Sequence, residues 1–347
     1  MASVIPSLGL LPNELLDHIF RHLDLLPQSQ TRFNHVPDVK HAFIRGSLGE
    51  ASQHETGHWT NKRQGDLKTI STVCRHLRRA VLPRLYKHAT LDPLDQSAFL
   101  EFIHSADLAD HVDSIYATLG EPDYKYYHPA WWCRLHNEIR PRVFTIACSP
   151  KFYSDISGLS IALTDAWAFR MPYQLLELIQ PENARQSDIH FINGRPLPSI
   201  LGAKPWSSIR VNEGSNLAAY TKYEYFLKRP PSLIATVQST CNSEEWDISD
   251  AALSIPKQIY VSIRAMLEQL QEFSFIAIFP FYNHVDLILK CIRRMTSLKR
   301  LFVKLCPEPG STVLDDEIRA AEGHFDVNDP WNELVPLNNP YSLARLY

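Results

Sequence analysis

Leu11-Pro12-Asn13-Glu14-Leu15-Leu16-Asp17-His18-Ile19-Phe20-Arg21-His22-Leu23 is the stretch from which the rest of the chain is read. Its apolar residues Leu15, Leu16, Ile19, Phe20 and Leu23 fall at steps of one, three and four, so they share one face of a helix. Pro12 suits the first turn, where its missing N–H leaves no helical bond unmade. Asp17, His18, Arg21 and His22 lie mostly off the apolar stripe. By itself this is the pattern of an ordinary amphipathic core helix. A second stretch, Asp66-Leu67-Lys68-Thr69-Ile70-Ser71-Thr72-Val73-Cys74-Arg75-His76-Leu77-Arg78-Arg79, makes it more specific.

Leu11, Pro12, Glu14, Leu15, Leu16, Ile19, Phe20 and Leu23, followed by Asp66, Leu67, Val73, Cys74, Arg75, Leu77 and Arg78, resemble the two halves of an F-box. The resemblance covers residues 8–90 and departs from the family in one respect: residues 27–65 intervene where a short loop is usual. It implies three helices that pack against a Skp-type adaptor, which bridges to a cullin scaffold. Leu11, Pro12, Leu15, Leu16, Ile19, Val73, Cys74 and Leu77 match family positions at or under that contact. Some of them must form the module's own small core. The family likeness further implies that residues 96–347 hold a protein client for ubiquitination, whose identity the sequence does not reveal. The insert is rich in Gln, His, Ser, Asn, Thr and Gly, and most of it is expected to be a mobile loop.

A chain of 347 residues with 45% hydrophobic and 11% aromatic content has room for such a module and a larger domain. A net charge of −3 argues against a nucleic-acid partner. The cluster Arg75, Arg78, Arg79, Arg84 and Lys87 has no interleaved aromatics and reads as a solvated helix face. Cys74, Cys133, Cys148, Cys241, Cys291 and Cys306 form no Cys-x-x-Cys pair, which suits reduced thiols in the cytoplasm or nucleus. Residues 1–11 lack a signal-peptide pattern, and no run approaches ~18 apolar residues, so no membrane association is expected.

Further along, the pattern predicts a second helix capped by Asp66 and a third carrying Leu77, Val81, Leu82 and Leu85, disturbed or ended by Pro83. Residues 86–91 and 112–117 alternate like strands, and residues 97–105 look helical. Residues 121–142 read as a long aromatic-rich connection, residues 173–179 and 220–227 as helices, and residues 188–192, 208–211 and 233–237 as strands. Leu267, Leu270, Phe273 and Phe275 recur 28 positions later as Met295, Leu298, Leu301 and Val303, with a helical run over 285–294 between them. That spacing is similar to a leucine-rich repeat, degenerate because the usual Asn or Cys anchor is missing. Residues 310–347 read as a terminal cap or tail. The expected fold class is therefore α/β: an N-terminal three-helix F-box followed by a degenerate leucine-rich-repeat-like domain with a mostly parallel sheet.

His54-Glu55-Thr56-Gly57-His58 matches the His-Glu-x-x-His of zinc hydrolases, but its polar flanks hold no apolar stripe to bury the helix that such a site needs. No phosphate-cradling glycine loop and no Gly-x-Ser-x-Gly elbow is present. The leading expectation is a non-catalytic substrate receptor of an SCF-type ligase, without cofactor or metal. The rivals are an F-box scaffold acting outside the ligase and, remotely, a zinc hydrolase using the His54/His58 pair.

Overall fold

The computed structural model describes residues 11–23, 33, 65–119, 130–148, 150–159, 174–181, 191–192, 195–196, 199–215, 232–241, 255–278 and 282–305. Three helices open it: α1 (Asn13–Arg21), α2 (Gly65–Val73) and α3 (Arg75–Leu85). Pro12 stands just before α1, and its carbonyl accepts from the N–H groups of Leu15 and Leu16. Asp66 lies within the first turn of α2, not ahead of it as its capping chemistry suggested. Cys74 separates α2 from α3: its backbone is extended and its Sγ accepts from the Leu77 N–H. Pro83 sits inside α3, whose last turn continues to Leu85.

Seven strands follow in one sheet: β1 (His88–Leu91), β2 (Ser114–Thr118), β3 (Val143–Cys148), β4 (Gln174–Ile179), β7 (Ser208–Ser215), β8 (Glu272–Ile278) and β9 (Arg300–Lys304). A separate two-stranded ribbon joins β5 (Phe191–Ile192) to β6 (Arg195–Pro196). Spatial order in the main sheet is the order of the chain. β4 pairs antiparallel with both neighbours, and every other pairing is parallel, so one strand runs against six. The remaining helices are α4 (Gln96–Ser105), α5 (Trp131–Glu138), α6 (Pro150–Ser157), α7 (Leu233–Cys241), α8 (Ile255–Gln269) and α9 (Tyr282–Arg293).

The core lies between the helices and one face of the sheet. Ile115, Phe144, Ile146, Leu176, Ile209, Val211, Phe273 and Phe275 supply the strand side, and each of α1 to α9 adds at least one buried apolar residue to the same cluster. Leu16 and Phe20 of α1, Leu67 of α2 and Leu77, Val81 and Leu85 of α3 belong to it, so the two widely separated halves of the helical module do pack together. Closing even a long loop between them is inexpensive, because loop entropy grows only logarithmically.

The 28-residue echo is the register of β8 against β9: Phe273 faces Leu301 and Phe275 faces Val303. Neighbouring strands earlier in the sheet repeat at similar intervals, 26 residues between His88 and Ser114 and 29 between Asp113 and Arg142. A backbone device recurs at each step. The Lys87 carbonyl accepts from the N–H groups of Asp113 and Ser114, Asp113 from Arg142 and Val143, and Gln271 from Lys299 and Arg300. Stacking one supersecondary unit on the last is how solenoids extend a core.

Several expected elements differ. Residues 233–237 form the start of α7, because the Ser232 hydroxyl accepts from the Ala235 N–H and begins a helix in which Leu233, Ile234, Ala235 and Val237 are buried. Residues 174–179 form β4, buried on both faces, where strand pairing overrides the helix preference of its leucines. The aromatic-rich connection contains α5, whose buried side presents Trp131, Trp132, Leu135 and His136. Phe33, inside the expected mobile insert, is fully buried against the sheet. Residues 54–58, 220–227 and 310–347 lie outside the described residues. No described helix is long and apolar enough to cross a membrane.

Candidate functional site

The helical module sorts its apolar residues into two sets. Leu16 and Phe20, four apart on α1, are completely buried, as are Leu67 and Leu77 to within a few per cent. Leu15 and Ile19, also four apart, lie on the other side of the same helix and are 51% and 38% exposed. Val73, at the end of α2, is 67% exposed, and Pro12 and Cys74 are exposed beside these elements in sequence. Leu11 is partly buried against the core. Of the eight residues matched to an adaptor contact, Leu16 and Leu77 thus serve the module's interior, while Pro12, Leu15, Ile19, Val73 and Cys74 remain open to solvent.

An ion pair links α1 to α3 beside the buried face. Arg84 of α3 donates through Nε and Nη2 to Asp17 Oδ1, at 3.1 and 2.5 Å, and Arg21 donates to Oδ2 at 3.0 Å. The Arg84 hydrogen bonds hold the Asp17 carboxyl below its usual range. Arg75, Arg78 and Arg79 are exposed along α3, as expected of a solvated face.

The sheet has a second candidate site on the face opposite the main core, where Thr145, Glu177 and Asn212 are buried. Thr145, Glu177 and Arg210 face one another across β3, β4 and β7. Glu177 accepts from Thr145 Oγ1 at 3.1 Å and from Arg210 Nη1 at 2.6 Å. In the adjacent row stand Ala147, Leu175, Asn212 and Ile276. Phe33 packs among Tyr116, Ala147, Leu175 and Ile276. Sequence reasoning missed this contact; a lone aromatic between Arg32 and Asn34 was its only signal.

Other buried polar groups have structural roles. Glu213 Oε1 accepts from Ser232 Oγ and the Leu233 N–H, closing the start of α7, and burial pushes its carboxyl up to about 8. His136 is enclosed by Trp132, Phe144 and Trp206, and burial together with the Lys204 charge keeps it neutral well below its ordinary range. Cys74, Cys133, Cys148 and Cys291 are free thiols. Among the described residues no group of three His, Cys, Asp or Glu side chains could hold a metal ion. Compared with family models, curated proteins and solved structures, the chain matches none.

Proposed function

We propose that the chain is the substrate-recognition subunit of an SCF-type cullin-RING ubiquitin ligase, without an active site of its own. The F-box module binds a Skp-type adaptor, the adaptor joins the cullin scaffold, and the sheet domain, a degenerate leucine-rich-repeat-like array, holds a protein client. The receptor acts by positioning: a client held near the transferred ubiquitin meets it at high effective concentration.

The observation that carries this reading is the division of the F-box-like residues. Leu15, Ile19 and Val73 are exposed while Leu16, Phe20, Leu67 and Leu77 fill the interior. Exposed leucine and isoleucine at helical spacing supply apolar anchors of the kind that dominate helix interfaces. The test is adaptor pulldown with Leu15→Asp, Ile19→Asp and Val73→Asp, singly and together. Loss of one anchor should weaken the adaptor by about 2 kcal/mol or more, roughly thirtyfold, with an unchanged circular dichroism spectrum. Undiminished pulldown by the triple variant would overturn the reading.

A further inference from the structure

The sheet face that carries Phe33 is not built like a permanent core. It interleaves apolar Tyr116, Ala147, Leu175 and Ile276 with the Glu177–Arg210 ion pair and Asn212. An apolar row would seal the same area without the desolvation that a buried ion pair carries. The polar groups do specific work on Phe33. The Arg210 guanidinium lies over its ring, 4.1 Å from the centroid. Asn212 Nδ2 donates to the Phe33 carbonyl at 2.7 Å. The Asn212 amide is held in that orientation because its Oδ1 accepts from the Gly214 N–H at 2.9 Å. That bond closes across a bulge in β7, where Gly214 takes φ 63, a backbone open mainly to glycine. The site therefore reads two things, an aromatic ring and the main-chain carbonyl of the same residue. Any protein segment that presents an aromatic side chain and its own carbonyl together offers both, and the one that does so here comes from 179 positions away in the chain.

We propose that the face of the sheet opposite the main core is a recognition site for an aromatic residue, together with its main-chain carbonyl, in a protein partner, and that Phe33 is its resident occupant, displaced when such a partner binds. Naming that partner a ligase client rests on the function proposed above; the existence of the site does not, and its test uses no adaptor, so the two readings fail separately. The intramolecular Phe33 competes at high effective concentration, which sets a threshold that a partner must exceed.

The probe is a fluorescein-labelled synthetic peptide of residues 29–37, titrated by anisotropy into the full-length chain. Phe33→Ala should bind it at least about tenfold more tightly than wild type, since the site is then vacated. The same peptide carrying Phe33→Ala should not bind. Asn212→Ala, added to the Phe33→Ala chain, should weaken binding about tenfold, because one anchor is gone. Phe33→Leu, which keeps apolar volume but removes the ring, is the second background if Phe33→Ala loses its native circular dichroism. A folded background showing no preference for the Phe-bearing peptide overturns the proposal. Loss of the native fold in both backgrounds does so too, by marking Phe33 as a core residue.

Discussion

The outer side of α1 and the face of the sheet opposite the main core both present apolar groups away from that core, and the molecule treats them in opposite ways. Leu15, Ile19 and Val73 are left open, whereas Phe33 lies fully buried over Tyr116, Ala147, Leu175 and Ile276. The open set is apolar and carries no polar group of its own; the covered set is threaded by Glu177, Arg210 and Asn212. An open apolar stripe suits a partner that supplies the missing half of a small core. A covered face with oriented donors suits recognition of one kind of residue in one geometry. Exposure and polarity, taken together, separate two docking chemistries that hydrophobicity alone would merge.

The largest expected effect breaks the contrast within α1 itself. Leu16→Ala removes a fully buried side chain from the common core and should lower the unfolding free energy by ~2–5 kcal/mol. Leu15→Ala, one residue earlier but half exposed, should stay within ~0.5 kcal/mol of wild type. Urea unfolding followed by circular dichroism measures both. Equal costs at the two positions would mean that α1 turns a different face inward, and the assignment of Leu15 to a partner would go with it.

A smaller effect separates the two sides of β7, where Asn212 holds Phe33 on one face and Glu213, the next residue, caps α7 on the other. Burial raises Glu213 from 4.5 to about 8, so the folded chain holds a proton that the unfolded chain releases over that window. Stability from this group falls as pH rises from 4.5 and levels off above about 8. His136 acts with the opposite sign: buried neutral, it lowers stability as pH falls below 6.5, where the unfolded histidine takes up a proton. The two slopes oppose each other below 6.5, and the Glu213 decline stands uncovered from 6.5 to about 8. There it should reach at most ~1.4 kcal/mol per pH unit. Glu213→Gln keeps an acceptor for Ser232 and Leu233 and should flatten that decline in urea melts at pH 6.5 and 8.

How much of this was legible in the sequence depended on whether side chains carried the signal. The α1 stripe, α4 and the β8/β9 echo were readable because apolar spacing follows the period of each element. The equivalent repeats at β1, β2 and β3 are aligned by the carbonyls of Lys87 and Asp113, as β8 and β9 are by that of Gln271, and backbone acceptors leave no residue signature. Residues 174–179 and 233–237 are both short and mostly apolar; strand partners distant in the chain made the first a strand, and the Ser232 cap started the second as a helix. For the candidate site, the F-box-like pattern named Leu15 and Leu16 together but could not divide them, since both fit one stripe and only packing against α3 turns Leu16 inward. Phe33 escaped notice because its partners, Arg210 and Asn212, are 177 and 179 positions away.

The smallest expected effect concerns the ion pair that joins α1 to α3. Asp17 lies between inward Leu16 and outward Ile19 and joins Arg84 of α3 and Arg21 of α1. Its side chain is 46% exposed, so water screens much of the attraction, and surface pairs of this kind contribute ~0–1 kcal/mol. Because its folded-state pKa is depressed below 3.8, any contribution is fully present above that value and disappears as pH falls through the lower one. Asp17→Asn should therefore cost at most ~1 kcal/mol at pH 7, and less in 1 M salt, where the screening length shrinks to ~3 Å. Its effect on adaptor binding should be slight, since the burial of Leu16 and Phe20 already holds the open face of α1 outward. If Asp17→Asn weakens the adaptor as much as Leu15→Asp does at unchanged stability, the carboxylate is itself part of the contact, and the open face extends from the apolar stripe onto the charged side of α1.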